Sequence, residues 1–434
     1  MLHSPLTIVG LPYLLAAGVL SAQQPAITLA EAIRRSERVQ PDVIRAQADV
    51  RSAGAQRRSA WGAFLPTITA SSSASDFFSE GASRIDPVTG LLASGNSSNR
   101  SLSTSLSASV DLFTGFRRGA ELRAARANES AADASLVDAR FQQALLTTNQ
   151  FLDALAAAQL LRVRETSVRR AAEQLKVSVA KLRAGSATRS DSLRSLVTLG
   201  NARLDQLTTQ TDLAAAEANL ARLIGETGRV RAADDSAFYV VLPSLDTQAL
   251  RVEVESRSPR VQSAAAAESA ARATARASRS SYWPTLSLNA NTGWNGNRVD
   301  DYDLLNQRQV SLSLRWNIFD GFERELTIVQ REAAADVAAA SASDARRGVQ
   351  ADLELRLAEM DAAKARIEIT QTSVAAAGED LRVQQERYRL GASTIVDVLT
   401  SQEAINQAEV DVVNARFDYL RAKAELEALI GRNL

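Results

Sequence analysis

The stretch SLSTSLSASVDLF, from Ser101 to Phe113, alternates between polar and apolar residues. Its odd-numbered positions are serine up to Ser109 and then Asp111, whereas the even-numbered ones are mostly leucine, alanine or valine. A period of two predicts a β-strand whose two faces meet different surroundings. The strand stands out because the sequence around it is rich in alanine and charge and has the pattern of long helices.

Three other segments have a related pattern. VSLSLRWNIF, from Val310, alternates as clearly, the segment after Pro284 does so too, and the one after Pro66 is mostly serine and alanine. Each is about 10 residues long, which suffices for a tilted strand to cross a bilayer. A strand of a soluble sandwich would alternate in the same way. Four strands between long helices, however, have no second sheet to pack on and leave open edges.

The chain contains an internal repeat. FLPTIT at Phe64 recurs as YWPTLS at Tyr282, an offset of 218, whereas DLFTGFRR at Asp111 recurs as NIFDGFER at Asn317, an offset of 206. The difference of 12 residues falls in residues 79–99, which are rich in serine, glycine and asparagine. We therefore expect an exposed loop in the first hairpin.

A very long helix is predicted after each hairpin. About 70 residues without proline lie between Gly115 and Gly185, and again between Gly321 and Gly391. As helix, each would extend about 100 Å. Apolar or small residues recur every seven positions along both, which predicts packing against a partner helix. The stripe residues are Leu353, Met360, Ile367, Val374, Leu381 and Tyr388, and in the first copy Ala154, Leu161, Val168, Leu175 and Leu182.

The predicted fold is mainly α with a β-barrel part, and each half contains a helix, two strands, a very long helix, a turn and a helix. The predicted divisions begin with a signal peptide at 1–22 and a first structural repeat at 23–225, which has a β-hairpin at about 66–113, a long helix at about 116–184 and a return helix at about 188–224. An inter-repeat segment follows at 226–248. The second structural repeat, at 249–434, has a β-hairpin at about 284–319, a long helix at about 322–390 and a return helix at about 394–430.

The N-terminal residues have the pattern of a secretory signal. An apolar run from Leu6 to Leu20 ends at small residues around Ala22, and Pro12 interrupts it. A retained membrane anchor and a short buried helix are the alternatives. Cleavage near Gln23 would remove the single histidine, His3, from a chain that has no cysteine.

The composition argues against several functions. With neither histidine nor cysteine in the mature chain, and with no glycine-rich phosphate loop or paired carboxylate motif, we expect no enzyme, no cofactor and no metal site. The 50 basic residues balance 50 acidic ones, which gives no reason to expect nucleic acid as a partner. The absence of histidine-rich or methionine-rich tracts argues against a dedicated copper or silver system.

The strands predict an oligomer, because closing four of them into a barrel needs further copies of the chain. Two copies would give eight strands and an interior nearly filled by side chains, whereas three would give twelve and leave a passage. We therefore expect a homotrimer. Trp283, Trp294 and Trp316 lie near strand ends, where they fit an aromatic girdle facing lipid.

The repeated motifs resemble those of TolC-type outer membrane efflux proteins. They are LAEAI with a following proline (Leu29 to Pro41), FLPT, LFTGFRR with IFDGFER, and RYRLGASTIVDVL (Arg387 to Leu399). The resemblance implies a trimer in the outer membrane, with a twelve-stranded barrel in lipid and a helical tunnel through the periplasm. It implies a passive exit duct of a tripartite efflux or type I secretion system, with a periplasmic adaptor and an inner-membrane pump as partners. Residues 226–248 would belong to an equatorial belt around the tunnel.

The inner end of the tunnel is predicted at the turns after Gly185 and Gly391. Thr188 with Asp191, and Thr394 with Asp397, fit capping boxes, and that role alone would explain them. The residues predicted at the aperture are Asp397, Tyr388, Thr400 and Asp191; by the resemblance, Asp397 would line the closed aperture with Tyr388. Thr400 stands where relatives have a second acid and Ser393 where they have a basic partner, so any latch is expected to be looser.

Two further sets of residues follow from the resemblance and the turns. The helix tips expected to contact an adaptor are Gly185, Ser186, Thr188, Gly391, Ala392 and Thr394. The junctions between strands and helices are expected at Pro66, Gly115, Pro284 and Gly321. A periplasmic coiled-coil scaffold is the alternative function, because it would explain the helices, although not the strands.

Overall fold

The structure is a computed structural model and describes residues 26–85, 88, 90–93, 97–235, 246–296, 304–432 and 434. The predicted signal peptide and the centre of the predicted inter-repeat segment lie outside the described residues. The helices are α1 (Leu29–Val39), α2 (Pro41–Gly62), α3 (Arg117–Arg183), α4 (Arg189–Ile224), α5 (Thr247–Arg257), α6 (Pro259–Ser278), α7 (Glu323–Arg389) and α8 (Ile395–Ile430). The strands are β1 (Ala26–Ile27), β2 (Thr67–Ser79), β3 (Arg84–Ile85), β4 (Leu92–Ala93), β5 (Ser97–Phe113), β6 (Arg231–Ala232), β7 (Thr285–Gly296) and β8 (Leu305–Arg315).

Each half of the chain begins with two helices, whereas the sequence analysis expected one. Pro41 begins α2 and Pro259 begins α6, each directly after the preceding short helix. Proline fits the first turn of a helix but cannot continue one that precedes it, since it lacks the backbone donor. The residues before the two prolines, Gln40 and Ser258, therefore separate a short helix from a longer one.

The main sheet is antiparallel and has the order β2-β5-β7-β8. The first hairpin, β2 and β5, thus lies beside the second, β7 and β8. Thr67 pairs with Ser109 in the first hairpin, Thr285 pairs with Arg315 in the second, and Ser107 pairs with Asn291 where the hairpins meet. Strands β2 and β8 form the edges, and their side chains are almost all exposed.

The two faces of the sheet differ, as the alternating sequence predicts. The odd-numbered face is polar except for Phe77 and Leu305 near the loop ends of β2 and β8. Serine hydroxyls hydrogen-bond across it, 2.9 Å from Ser71 to Ser105 and 2.8 Å from Ser73 to Ser103. The even-numbered face leaves large apolar side chains exposed. They include Ile68, Leu106, Val310, Leu312 and Leu314.

The long helices form two pairs, α3 with α4 and α7 with α8, and α8 also packs against α3. The shorter helices α2 and α6 pack on either side of α3, and α6 reaches α7 as well. Within the described residues, no helix combines the length and the apolar character needed to cross a membrane.

The main core lies where the long helices meet the short ones near the middle of the molecule. Phe151 of α3 and Phe417 of α8 are fully buried there, together with Leu353 and Met360 of α7. Residues of α1, α5 and β6 belong to the same cluster. The short elements therefore hold the two long pairs together at this level.

The seven-residue stripe is buried more completely in the second copy than in the first. All its members on α7 are buried or half-buried, as are those on α3. In the first copy, however, the best-covered positions near the turn are Ala171, Gln174 and Ser178 rather than Leu175. Small and polar residues thus fill that seam, and the Ser178 hydroxyl lies 2.8 Å from that of Ser195 on α4.

The central core predicts a large effect of shortening Phe417. Because its ring is fully buried, Phe417→Ala should lower the free energy of unfolding by about 3–5 kcal/mol, the cost of a large core cavity. Thermal unfolding in detergent, followed by circular dichroism, measures the change. The neighbouring Arg416 is exposed, and Arg416→Ala should stay within about 0.5 kcal/mol of the native chain. Equal shifts for both variants would contradict the position of the core.

Candidate functional site

The two turns that join the long helices to their return helices have the same conformation. Gly185 follows α3 with φ of 73° and Gly391 follows α7 with φ of 79°, in the left-handed region that favours glycine. Backbone hydrogen bonds close both turns, from Ser186 to Lys181 and from Ala392 to Arg387. The six residues predicted as tips are all exposed: Gly185, Ser186, Thr188, Gly391, Ala392 and Thr394.

Both return helices begin with a capping box. The backbone N–H of Thr188 donates to Asp191 at 2.9 Å, and that of Thr394 donates to Asp397 at 2.8 Å. Each threonine hydroxyl accepts from the backbone N–H of the aspartate in return, at 3.3 Å. The boxes satisfy backbone donors that the first turn of a helix leaves without partners.

Asp397 has one feature that Asp191 lacks. The Thr394 hydroxyl also donates to the same carboxylate oxygen, at 2.8 Å. The pKa of Asp397 is held below its ordinary value, mainly by the hydrogen bond from the Thr394 backbone and next by the one from the Thr394 hydroxyl. The carboxylate is exposed at the tip, so it stays ionised there and presents a negative charge to solvent.

Tyr388 is buried rather than exposed at the tip. Its ring packs with Leu381, Ile395 and Val398 in a cluster between α7 and α8. Burial is the main cause that raises the pKa of Tyr388, and the charge of Asp191 acts in the same direction. Within one chain, Tyr388 therefore contributes to the packing beneath the tip.

A lysine side chain that was not predicted from the sequence lies against Tyr388. Lys181 of α3 places its ammonium 4.4 Å from the centre of the Tyr388 ring and donates to the Tyr388 carbonyl oxygen. Ser393, which stands where the basic partner was expected, donates instead to the Gln384 carbonyl oxygen. The contact therefore ties the end of α3 to the end of α7, because a cation is attracted both to an aromatic face and to helix C-terminal carbonyls.

A second contact between the two helix pairs lies further from the tip. Arg170 of α3 donates to Glu409 of α8 at 2.6 and 2.8 Å and to the side chain of Asn406 at 2.8 Å. Both charged side chains are about four-fifths buried. Sequence reasoning missed this group because the partners are more than 200 positions apart.

Thr400 is exposed one turn after Asp397. It lines a shallow groove between α4 and α8, whose apolar side chains include Leu193, Val197 and Val396. The groove lies beside the tips and is open to solvent.

The four predicted junction residues lie where strands meet helices. Pro66 and Pro284 stand directly before β2 and β7, and Gly115 and Gly321 adopt φ of 62° and 71° two residues before the start of α3 and α7. The residue after each glycine, Phe116 or Phe322, is also left-handed. Two such residues in succession turn the chain sharply from strand into helix.

The molecule has two long uncovered sides. Among the described residues, the helices next to the sheet pack side by side in the order α2, α3, α6, α7. Toward the tips, the order of packed helices is α4, α3, α8, α7. One side consists of β2, α2 and α4, and the other of β8 and α7. The helices on both sides expose leucine, isoleucine or valine. They are Leu196, Leu204 and Leu207 on α4, and Leu355, Ile369 and Val383, spaced by 14, on α7.

Comparison with known proteins identifies the family. Residues 32–226 and 250–432 match the family described as "Outer membrane efflux protein". The chain belongs to the outer membrane efflux protein family. Membership confirms the predicted family, the fold class of a helical tunnel with a β-barrel part, and the location in the outer membrane with the tunnel projecting into the periplasm.

Curated relatives of this chain include "Outer membrane protein TolC" from Escherichia coli (strain K12), which is 26% identical over 196 residues. That alignment covers 42% of this chain and 40% of the relative. The protein of the same name from Salmonella enteritidis is 24% identical over 192 residues, which cover 42% and 39%. The matched region thus spans about two-fifths of these relatives.

Three solved structures share the fold over nearly the whole length. A structure of CusC has a TM-score of 0.79 and 18% identity, covering 93% of this chain and 92% of that one. VceC from Vibrio cholerae gives 0.76 at 17% identity, with 93% and 96% covered, and CmeC from Campylobacter jejuni gives 0.78 at 16%, with 99% and 94% covered.

The Lys181 contact predicts a specific role in holding the two tips of the chain together. Lys181→Met keeps the aliphatic stem and removes the charge, so the last turn of α7 should exchange its amide hydrogens roughly fivefold faster, the equivalent of about 1 kcal/mol. Hydrogen–deuterium exchange with mass spectrometry measures the rate. Lys176→Met is the matched control, since Lys176 pairs only with Glu173 on its own helix in the described contacts. The same rate in both variants would contradict the role of Lys181.

The capping box of Asp397 predicts a pH dependence. Because the pKa of Asp397 is lower in the folded chain, its ionisation stabilises the folded state above the unfolded pKa of about 3.9, and this contribution is lost as the pH falls through the folded pKa. The start of α8 should therefore lose protection against hydrogen exchange below about pH 4. Asp397→Asn should remove this dependence. If the variant kept the same acid transition, another group would cause it.

Proposed function

We propose that three copies of this chain close into one channel that serves as the exit duct of a tripartite efflux or type I secretion system. The two uncovered sides carry this proposal. A four-stranded sheet with one apolar face and two unpaired edges satisfies neither its backbone groups nor its exposed side chains as a single chain in lipid.

The two sides differ, so they fit each other rather than themselves. The side made of β2, α2 and α4 would contact the β8 and α7 side of the next copy, which generates a ring when the rotation closes. In lipid, the even-numbered face of the sheet would turn outward and the hydroxyl-rich odd-numbered face would line the passage.

Three copies agree best with a passage. They give twelve strands, whereas the eight strands of two copies would enclose an interior that side chains nearly fill. The exposed apolar residues of α7, Leu355, Ile369 and Val383, are spaced by 14 and support a further helix packing there. Each half of the chain, divided at about 225 and 249 as the sequence analysis predicts, would contribute one hairpin and one helix pair.

The tips would form the inner end of this duct. Three copies of Asp397 around a narrow opening would attract cations, since each carboxylate stays ionised. The exposed turns at Gly185 and Gly391 would contact a periplasmic adaptor, which couples the duct to an inner-membrane pump. The duct itself would be passive, without enzymatic activity.

The proposal requires the purified protein to be a trimeric channel. Native mass measurement of the detergent-solubilised chain should give three copies, and planar lipid bilayers should show stepwise conductance. The protein should also fractionate with the outer membrane and resist extraction without detergent. A monomer that is stable in plain buffer would support the coiled-coil scaffold instead.

The predicted aperture gives a sharper measurement on the same channel. Asp397→Asn removes the charge with little change in size, and we expect divalent cations at the tip side to block its conductance at least tenfold less well, because a ring of three carboxylates is lost. Asp191→Asn shows how much of the effect comes from losing a capping box, since Asp191 caps the other return helix in the same way. Unchanged block in Asp397→Asn would leave only the capping role.

A further inference from the structure

Equivalent residues of the two halves have different surroundings at the junction of strand and helix. Gly115 is buried, and a Cβ atom built on it would lie only 2.4 Å from the Cβ of Trp283, which belongs to the second half. Gly321 is the counterpart of Gly115 at the offset of 206. It is exposed, and a Cβ atom built on it would have no other atom within 4 Å among the described residues. The second junction therefore lacks the neighbour that covers the first.

The contacts inside each half are repeated, which shows that the halves are built alike. Arg118 lies over the Phe64 ring and Arg324 over the Tyr282 ring, at 5.0 and 4.4 Å from the ring centres. An edge-on aromatic pair also recurs. It is Phe113 with Phe116 at 5.4 Å, and Phe319 with Phe322 at 5.5 Å.

The strand register obeys the same two offsets. Adding 218 to Thr67 and 206 to its partner Ser109 gives Thr285 and Arg315, which are partners in the second hairpin. The pair Ser73 and Ser103 becomes Asn291 and Gln309, again an observed pair. The offsets therefore hold for backbone pairing as well as for sequence.

The strands β5 and β7, one from each half, supply a template for the contact between chains. Strand β8 is the counterpart of β5 and β2 is the counterpart of β7, so the pair Ser107 and Asn291 corresponds to Ser313 and Ser73. Both β8 and β2 are edges of the sheet. Their pairing would extend the sheet by the same step that already joins its halves.

We propose that β8 of one copy pairs antiparallel with β2 of the next copy, with Ser313 opposite Ser73 of the partner subunit, and that Leu65 of the partner subunit packs on Gly321 and Phe322. The proposal rests on the ring of the proposed function and adds its register and its contact at the junction.

The pattern of side chains agrees with this register. Arg315 would lie opposite Ser71 of the partner subunit, so the polar odd-numbered faces coincide. Leu312 would lie opposite Ala74 of the partner subunit, so the apolar even-numbered faces coincide as well. A shift by one residue would place apolar side chains on the polar face and is disfavoured.

The junction contact follows from the same template. Trp283 covers Gly115 and meets the Phe116 ring edge-on, with ring centres 6.1 Å apart. The counterpart of Trp283 in the first half is Leu65, at the offset of 218, and its side chain is 52% exposed in the single chain. The counterpart of Phe116 in the second half is Phe322, which is 69% exposed. Both would become covered where two copies meet.

Disulfide formation tests the register, because the chain has no cysteine of its own. The variant Ser73→Cys/Ser313→Cys, oxidised in detergent or in membranes, should run as covalent dimers and trimers on a denaturing gel. Directly opposed residues of antiparallel strands lie within the Cα separation that a disulfide needs. Ser107→Cys/Asn291→Cys is the matched control, which should form the equivalent bond within one chain and yield no multimers.

Shifted pairs decide between registers. Ser71→Cys/Ser313→Cys and Ser75→Cys/Ser313→Cys keep the polar face but move the partner by two residues, and both should cross-link several-fold less than the proposed pair. A trimer by native mass in which a shifted pair cross-links best would overturn the register and leave the proposed function standing. A native chain that is monomeric in detergent would overturn both.

A substitution at Leu65 tests the junction separately. Leu65→Trp recreates at the boundary between chains the contact that Trp283 makes within the chain, so the trimer should dissociate at a higher temperature than the native one. Leu65→Asp should dissociate at a lower temperature. If neither variant shifts the dissociation temperature while both chains fold, the proposed packing on Gly321 and Phe322 is wrong.

Discussion

The main sheet is complete only when the unpaired backbone groups along its edge strands, β2 and β8, gain hydrogen-bond partners. Each strand of the main sheet needs hydrogen-bond partners on both sides once water is removed, and among the described residues neither edge strand has them on its outer side. The alternating sequence adds a second condition, since one face is rich in hydroxyls and the other exposes leucine, valine and isoleucine. A closed barrel of several chains satisfies both conditions at once, because it removes the edges and separates the two faces.

The internal repeat would give the proposed closure a simple geometry. The contact between β5 and β7 joins two halves of one chain, and the helices follow the same order, with α6 packed between α3 and α7. A strand pairing that forms between the two halves of one chain can also form between two chains, provided that the halves are equivalent. The matching register of the two hairpins and the matching cation–ring contacts at their ends show how far that equivalence extends.

Much of this fold could be predicted from the sequence, because its signals are periodic and local. The alternation in β5 and the seven-residue stripe on α7 directly reflect one polar face and one buried seam. The contacts of Lys181 and Arg170 could not be predicted in this way. Each depends on how two helix pairs are placed side by side, and a surface lysine or arginine has no local signal for a partner over 200 positions away. The burial of Tyr388 follows from the stripe, whereas its cation comes from the other pair.

The two helix pairs differ in how they are held near the tips, although their turns are alike. The seam of α7 and α8 is apolar, with Leu381, Ile395 and Val398 around Tyr388. The seam of α3 and α4 is filled by small and polar residues such as Ala171 and Ser178, which bury less apolar surface. The first pair therefore has less intrinsic stability at its end and depends more on contacts with the second. Segments with fewer buried apolar contacts open first, so when the tie to α7 is released we expect the end of α3 to open at least as far as the last turn of α7.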